Sequence, residues 1–184
     1  MNILVSPLPR TVDIGGTSVP LKTGYRTGIA VVRVAESSLT DALKAGAILR
    51  LYFGDAVPAD AASALEAVMA FHRCGAPPPK RQGRRLLDWD HDAGMILADF
   101  RREYGIDLAD AVTKMHWWAF MAYFANLSSA SETKTAMYYR NTPVPRDLAG
   151  HEARRFKSLK RAYALPPRSA DAEAALDAER WGDA

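Results

Sequence analysis

Between Met115 and Leu127 the chain reads MHWWAFMAYFANL, and a helix drawn through it carries large apolar side chains on most of its sides. Met115, Trp118, Met121 or Ala122 and Ala125 recur at helical spacing, and Trp117, Phe120 or Met121, Phe124 and Leu127 fill the neighbouring stripe. Such a helix must be surrounded by other elements. In a chain of 184 residues the expectation is one domain with this segment as its central helix. Tryptophan and tyrosine are also enriched where proteins meet. Trp117, Trp118 and Tyr123 are therefore candidate partner contacts as well as core residues, and Tyr138 and Tyr139 join them. His116 reads as a packed or hydrogen-bonded imidazole.

The predicted fold is mainly α: a compact multi-helix domain with a short N-terminal β-hairpin. The hairpin, at about residues 10–22, is TVDIGGTSVPLKTG: Val12 and Ile14 alternate with polar residues, Gly15 and Gly16 suit a tight turn, and Val19 and Leu21 resume the alternation. Pro20 assigns its strand to an edge, which is open to self-association. Helices are expected from Tyr25, after Ser38 or Thr40 with Gly54 as the stop, and from Pro58 to Gly75. Another follows Asp88 or Asp90 and ends at Gly105. The aromatic helix comes after Asp110, a short one after Ser131 reaches about Tyr139, and a last one, capped by Asp147, is ended by Pro166 and Pro167. Residues 1–168 read as a single helical domain. Within it, residues 75–87 form a basic, proline-rich loop, because three consecutive prolines remove backbone donors. Residues 169–184 are expected to be an acidic C-terminal helix or a flexible tail.

Hydrophobic residues are 48% and charged residues 24%, an ordinary soluble balance. Net charge is only +3, but the cations are grouped. Lys80, Arg81, Arg84 and Arg85 lie on the loop, and Arg154, Arg155, Lys157, Lys160 and Arg161 on the last helix. Phe156, Leu159 and Tyr163 interleave the second group and dock that helix on a core, which turns its cations to solvent. Phosphate binding would need both patches on one face. Nucleic acid is therefore an alternative partner, ranked below protein. The start, MNILVSPLPR, has prolines where a signal peptide needs an apolar helix, and no apolar run approaches a membrane span. Synthesis in a cytoplasm and no membrane partner are expected.

No catalytic, cofactor or metal constellation stands out. Cys74 and His72 sit at i and i+2, which do not face each other on a helix. DWDHD (Asp88, Asp90, His91, Asp92) with Asp107 and Asp110 lacks calcium-loop spacing, and carboxylates at a helix start are stabilised by its free amides. Phosphate-binding glycine loops are absent. The chain is expected not to be an enzyme.

Five segments in order carry a resemblance: VDIGG, LRLYFG (49–54), DWDHDAGMILADFRREYGIDL (88–108), MHWWAFMAYFANLS (115–128) and LKRAYAL (159–165). Together they resemble a family of small bacteriophage proteins encoded among the tail genes, close to the tape-measure gene. The third and fourth segments are the specific ones, and the resemblance covers roughly residues 10–165. MYYRNTPVPRDL departs from the family pattern. The resemblance implies a non-enzymatic tail-assembly chaperone that binds the tape-measure protein and helps recruit tail-tube subunits. It implies action in the host cytoplasm during assembly. A structural tail or connector component, present in the virion, is the alternative.

Overall fold

Each boundary in the fold follows from a specific donor or acceptor. The computed structural model describes residues 3–80, 83–110 and 112–166. These are mainly α-helical, with one N-terminal antiparallel hairpin, β1 (Thr11–Ile14) and β2 (Thr17–Pro20). The helices are α1 (Tyr25–Glu36), α2 (Asp41–Phe53), α3 (Ala61–His72), α4 (Ala93–Tyr104), α5 (Trp117–Ala125), α6 (Glu132–Asn141) and α7 (Gly150–Ala162). Two compact units emerge. The first takes in residues up to 80 and 114–122, and the second takes in 83–113 and 123–166 among the described residues. Residues 169–184, expected as a helix or tail, lie outside the described residues, as does Arg81.

In the first unit, Val12 pairs with Val19 and Ile14 with Thr17. Gly15 and Gly16 both have positive φ, 58° and 82°, as a two-residue hairpin turn with the right twist requires. The Asp13 carboxylate accepts from the Gly16 amide. β1 packs against α3, and α2 lies between α1 and α3 in the order of contacts. α1 buries Tyr25, Gly28, Val31 and Val34, one stripe of the helix. α2 starts where Thr40 accepts from the Leu43 amide and adds Ile48, Leu49, Tyr52 and Phe53 to the core. Asp60, not Pro58, caps α3, through the Ser63 amide.

The aromatic helix begins later than its periodicity predicts. Asp107 Oδ1 accepts from the amides of Ala109 and Asp110, Asp110 Oδ1 accepts from Val112, and Thr113 Oγ1 donates to the Asp107 carbonyl. These side chains hold the backbone in turns and compete with helix. His116 then forms a bridge with Gly24: Tyr25 N–H donates to Met115 O, and Trp117 N–H to Thr23 O. α5 can begin only after that extended pairing. Its fully buried line is narrow as well. Trp117, Phe120 and Phe124 are buried, while Trp118 and Met121 are half-buried and Tyr123 is exposed.

In the second unit α4 packs on α6, and α6 on α7. Asp88 is not the cap of α4. Its carboxylate accepts from the amides of Asp90 and His91, a turn ahead of the helix, and Asp92 occupies the N-cap position without a side-chain cap bond. α4 ends at Gly105, φ 68°, as expected from the sequence, and the Ile106 amide closes back on the Phe100 carbonyl. Ser131 caps α6 through the Lys134 amide. The N-cap of α7 is Ala149, with no side-chain bond, so Asp147 does not cap it. α7 stops at Ala162, ahead of the prolines.

Candidate functional site

The two adjacent tryptophans are anchored on one helix end. Trp117 Nε1 donates to the His72 carbonyl at 2.7 Å, and Trp118 Nε1 to the Phe71 carbonyl at 2.8 Å. The last carbonyls of a helix have no partner within it, so two indoles here act as a C-terminal cap on α3. Trp117 is only 2% exposed. Its ring is parallel to the His72 imidazole at 4.9 Å and to the Phe120 ring at 5.7 Å, and Phe120 stacks in turn on Tyr25. Trp117, expected as core or contact, is thus enclosed and cannot meet a partner without opening the core. Trp118 is half-buried with its donor used.

The nucleophile candidates of this unit are spent on packing. His72 Nδ1 hydrogen-bonds the Tyr52 hydroxyl at 2.8 Å. Burial, with Arg73 next, pushes the His72 pKa down to about 4. Burial pushes the Cys74 thiol up to about 11, the opposite of an activated thiolate. His116 donates from Nε2 to the Pro9 carbonyl and accepts at Nδ1 from the Trp118 amide, an arrangement that needs the neutral ring. Among the described residues no group of three or more His, Cys, Asp or Glu is placed to hold a metal ion.

The second unit is built round two buried carboxylates on α4. Asp92 and Asp99, both 0% exposed, are seven positions apart and therefore share a face with Ile96. Asp99 accepts from the amides of Glu132 and Thr133, at 3.1 and 2.8 Å, and from Arg102. With Ser131 on Lys134, the first three amides of α6 are satisfied. Asp92 takes both terminal nitrogens of Arg140, near the other end of α6, at 2.6 and 2.8 Å. α4 and α6 are thereby held antiparallel. Arg140 also donates to the carbonyls of Leu86 and Tyr163. Sequence reasoning missed Arg140. The signal was present in its partner: a carboxylate in register with Ile96 and Phe100 on an apolar helix face needs a buried donor.

Above this ion pair lie the two surface features with a claim to function. Tyr139 stacks on Tyr163 at 5.7 Å and meets Phe156 edge-on at 5.2 Å. Tyr138 caps the cluster, also edge-on to Phe156, and is 53% exposed. Tyr123, 41% exposed, lies against the Tyr104 ring, whose hydroxyl donates to the Tyr123 carbonyl. The second feature is a cavity of about 180 Å³ lined by Arg84, Arg85, Tyr139, Arg140, Lys160 and the chain at Ala164 and Leu165.

The basic residues expected as one patch divide. Arg84, Arg85 and Lys160 converge on the cavity, so the loop and α7 do share a face at that point. Arg85 pairs with Asp88 and donates to the Pro166 carbonyl. Lys160 donates to the carbonyls of Tyr139 and Thr142 at the end of α6. Lys80, Arg154, Arg155, Lys157 and Arg161 are exposed and do not line it. Phe156 is buried and docks α7 as predicted.

A family model described as "Bacteriophage Gp15 protein" matches residues 4–165, most of the chain. No curated protein and no solved structure matches it.

Proposed function

The chain belongs to the Bacteriophage Gp15 protein family, and on that premise we propose that it is a non-enzymatic tail-morphogenesis protein acting as an assembly chaperone for the tape-measure protein. Family membership supports the tail-morphogenesis role in general. The finer reading rests on one structural observation: an aromatic surface, led by Tyr138, presented on a rigid frame. α6 is pinned at both ends by buried aspartates, so Tyr138 is displayed with little freedom to lose on binding. Tyrosine on such a frame suits the apolar face of a long partner helix. Tail-tube subunits are the second partner of this reading, and self-association through the open strands of the hairpin is a third contact it allows. No helix among the described residues is long and apolar enough to cross a membrane.

Co-expression tests the proposal. The tape-measure protein should be soluble and co-purify when this chain is present, and aggregate when it is absent. Equal solubility without the chain, and no co-purification, sinks it. Mass spectrometry of purified particles separates the structural alternative: a chaperone is missing from the virion, whereas a tail or connector component is present in stoichiometric amount.

A further inference from the structure

The cavity beside Tyr139 has a charge imbalance that points to a ligand. Four cations line it: Arg84, Arg85, Arg140 and Lys160. Two are answered from within the unit, Arg140 by Asp92 and Arg85 by Asp88. Arg84 and Lys160 have no carboxylate partner among the described residues. Lys160 spends two of its three ammonium protons on the carbonyls of Tyr139 and Thr142, which fixes the nitrogen and leaves one proton to give. Arg84 is exposed at the same cavity with its guanidinium uncommitted among the described residues. The Tyr139 ring and Leu165 supply apolar wall.

We propose that this cavity binds the carboxylate side chain of an acidic protein segment. A volume of about 180 Å³ suits a carboxylate on one or two methylenes, since a water occupies roughly 30 Å³ of liquid. The carboxylate meets Arg84 and Lys160, and its methylenes meet Tyr139 and Leu165. Charge-assisted bonds of this kind are about twice as strong as neutral ones. A nucleic-acid duplex fits less well. It would need a line of cations along an outer surface, and the exposed α7 cations Arg154, Arg155 and Lys157 stand outside the cavity. The proposal does not depend on the chaperone reading, because it concerns the chemistry of a cavity and not the identity of the partner.

The test is fluorescence anisotropy of fluorescein-labelled hexaglutamate titrated with the purified full chain. Arg84→Glu and Arg154→Glu make the same charge change, one at the cavity and one outside it. Arg84→Glu is expected to weaken binding roughly tenfold, the loss of about one charge-assisted contact, with Arg154→Glu nearly unchanged. Amide shifts on adding hexaglutamate should centre on Tyr139, Arg140 and Lys160, a readout that needs no variant. Equal weakening by the two variants, or shifts spread along α7, would overturn the proposal. So would duplex DNA binding at this site with no binding of hexaglutamate.

Discussion

The indole of Trp117 donates to the backbone carbonyl of His72 at 2.7 Å while its ring lies 4.9 Å from the His72 imidazole, the two planes 12° apart. One residue therefore closes a helix end and stacks on that helix's last side chain. A third neighbour is Gly28, where an added Cβ would overlap ring carbons of Trp117.

That overlap makes Gly28→Ala informative. On an isolated helix the change would stabilise by about 1 kcal/mol. Here the Trp117 ring is held between His72 and Phe120 and has no room to retreat. Overpacking costs about 1–3 kcal/mol and should win. The expected outcome is a lower Tm than the parent. A Tm at or above the parent's would show that the ring moves freely.

Stability should fall with acid because of His72. In the unfolded chain its pKa is the ordinary 6.5, and in the fold it is about 4. Between those values the unfolded chain binds the extra proton, so stability drops as pH falls through that window and flattens below about 4. The loss is on the order of 3 kcal/mol, at about 1.4 kcal/mol per pH unit. His116 is shifted the same way, chiefly by burial, and adds with the same sign. Urea unfolding of the parent and of His72→Gln between about pH 7 and pH 5 measures this. Equal slopes for the two proteins would refute it.

Asp92 and Arg140 are 0% and 5% exposed, so neither charge has water to fall back on. Arg140→Met should cost about 3–5 kcal/mol by stranding the Asp92 carboxylate. Asp92→Leu combined with Arg140→Met should recover part of that loss. A double-mutant cycle by chemical denaturation reads the coupling, and simple additivity would mean the pair is not the clamp described here.

Tyr138 and Tyr139 are neighbours with opposite expected effects. Tyr138→Ala should leave unfolding free energy within about 0.5 kcal/mol of the parent and reduce recovery of the tape-measure protein in co-purification. Tyr139→Ala removes the contacts with Phe156 and Tyr163 and should cost on the order of 2 kcal/mol. A Tyr138 variant that retains full co-purification would move the proposed contact elsewhere, with Tyr123 next to be tested.

The sequence by itself determined what depends on a few consecutive residues. The glycine pair sets the hairpin turn, Thr40 and Ser131 cap their own helices, and Phe156 marks the docking side of α7, because each acts on a backbone within three or four positions or through helical period. The five-segment resemblance was legible in the same way and agrees with the family match. Only the tertiary structure decided the rest. The start of α5 moved to Trp117 because the amide of Trp117 is claimed by Thr23, a partner that no local pattern reveals. Arg140 became the centre of the second unit because a carboxylate 48 residues away waits for it in the core. The basic loop and the last helix meet at one cavity through Arg84, Arg85 and Lys160, while their other described cations stay apart. A charge in sequence has a sign but no position. Folding gives it neighbours, and those neighbours decide whether it is structural, solvated or left free to bind.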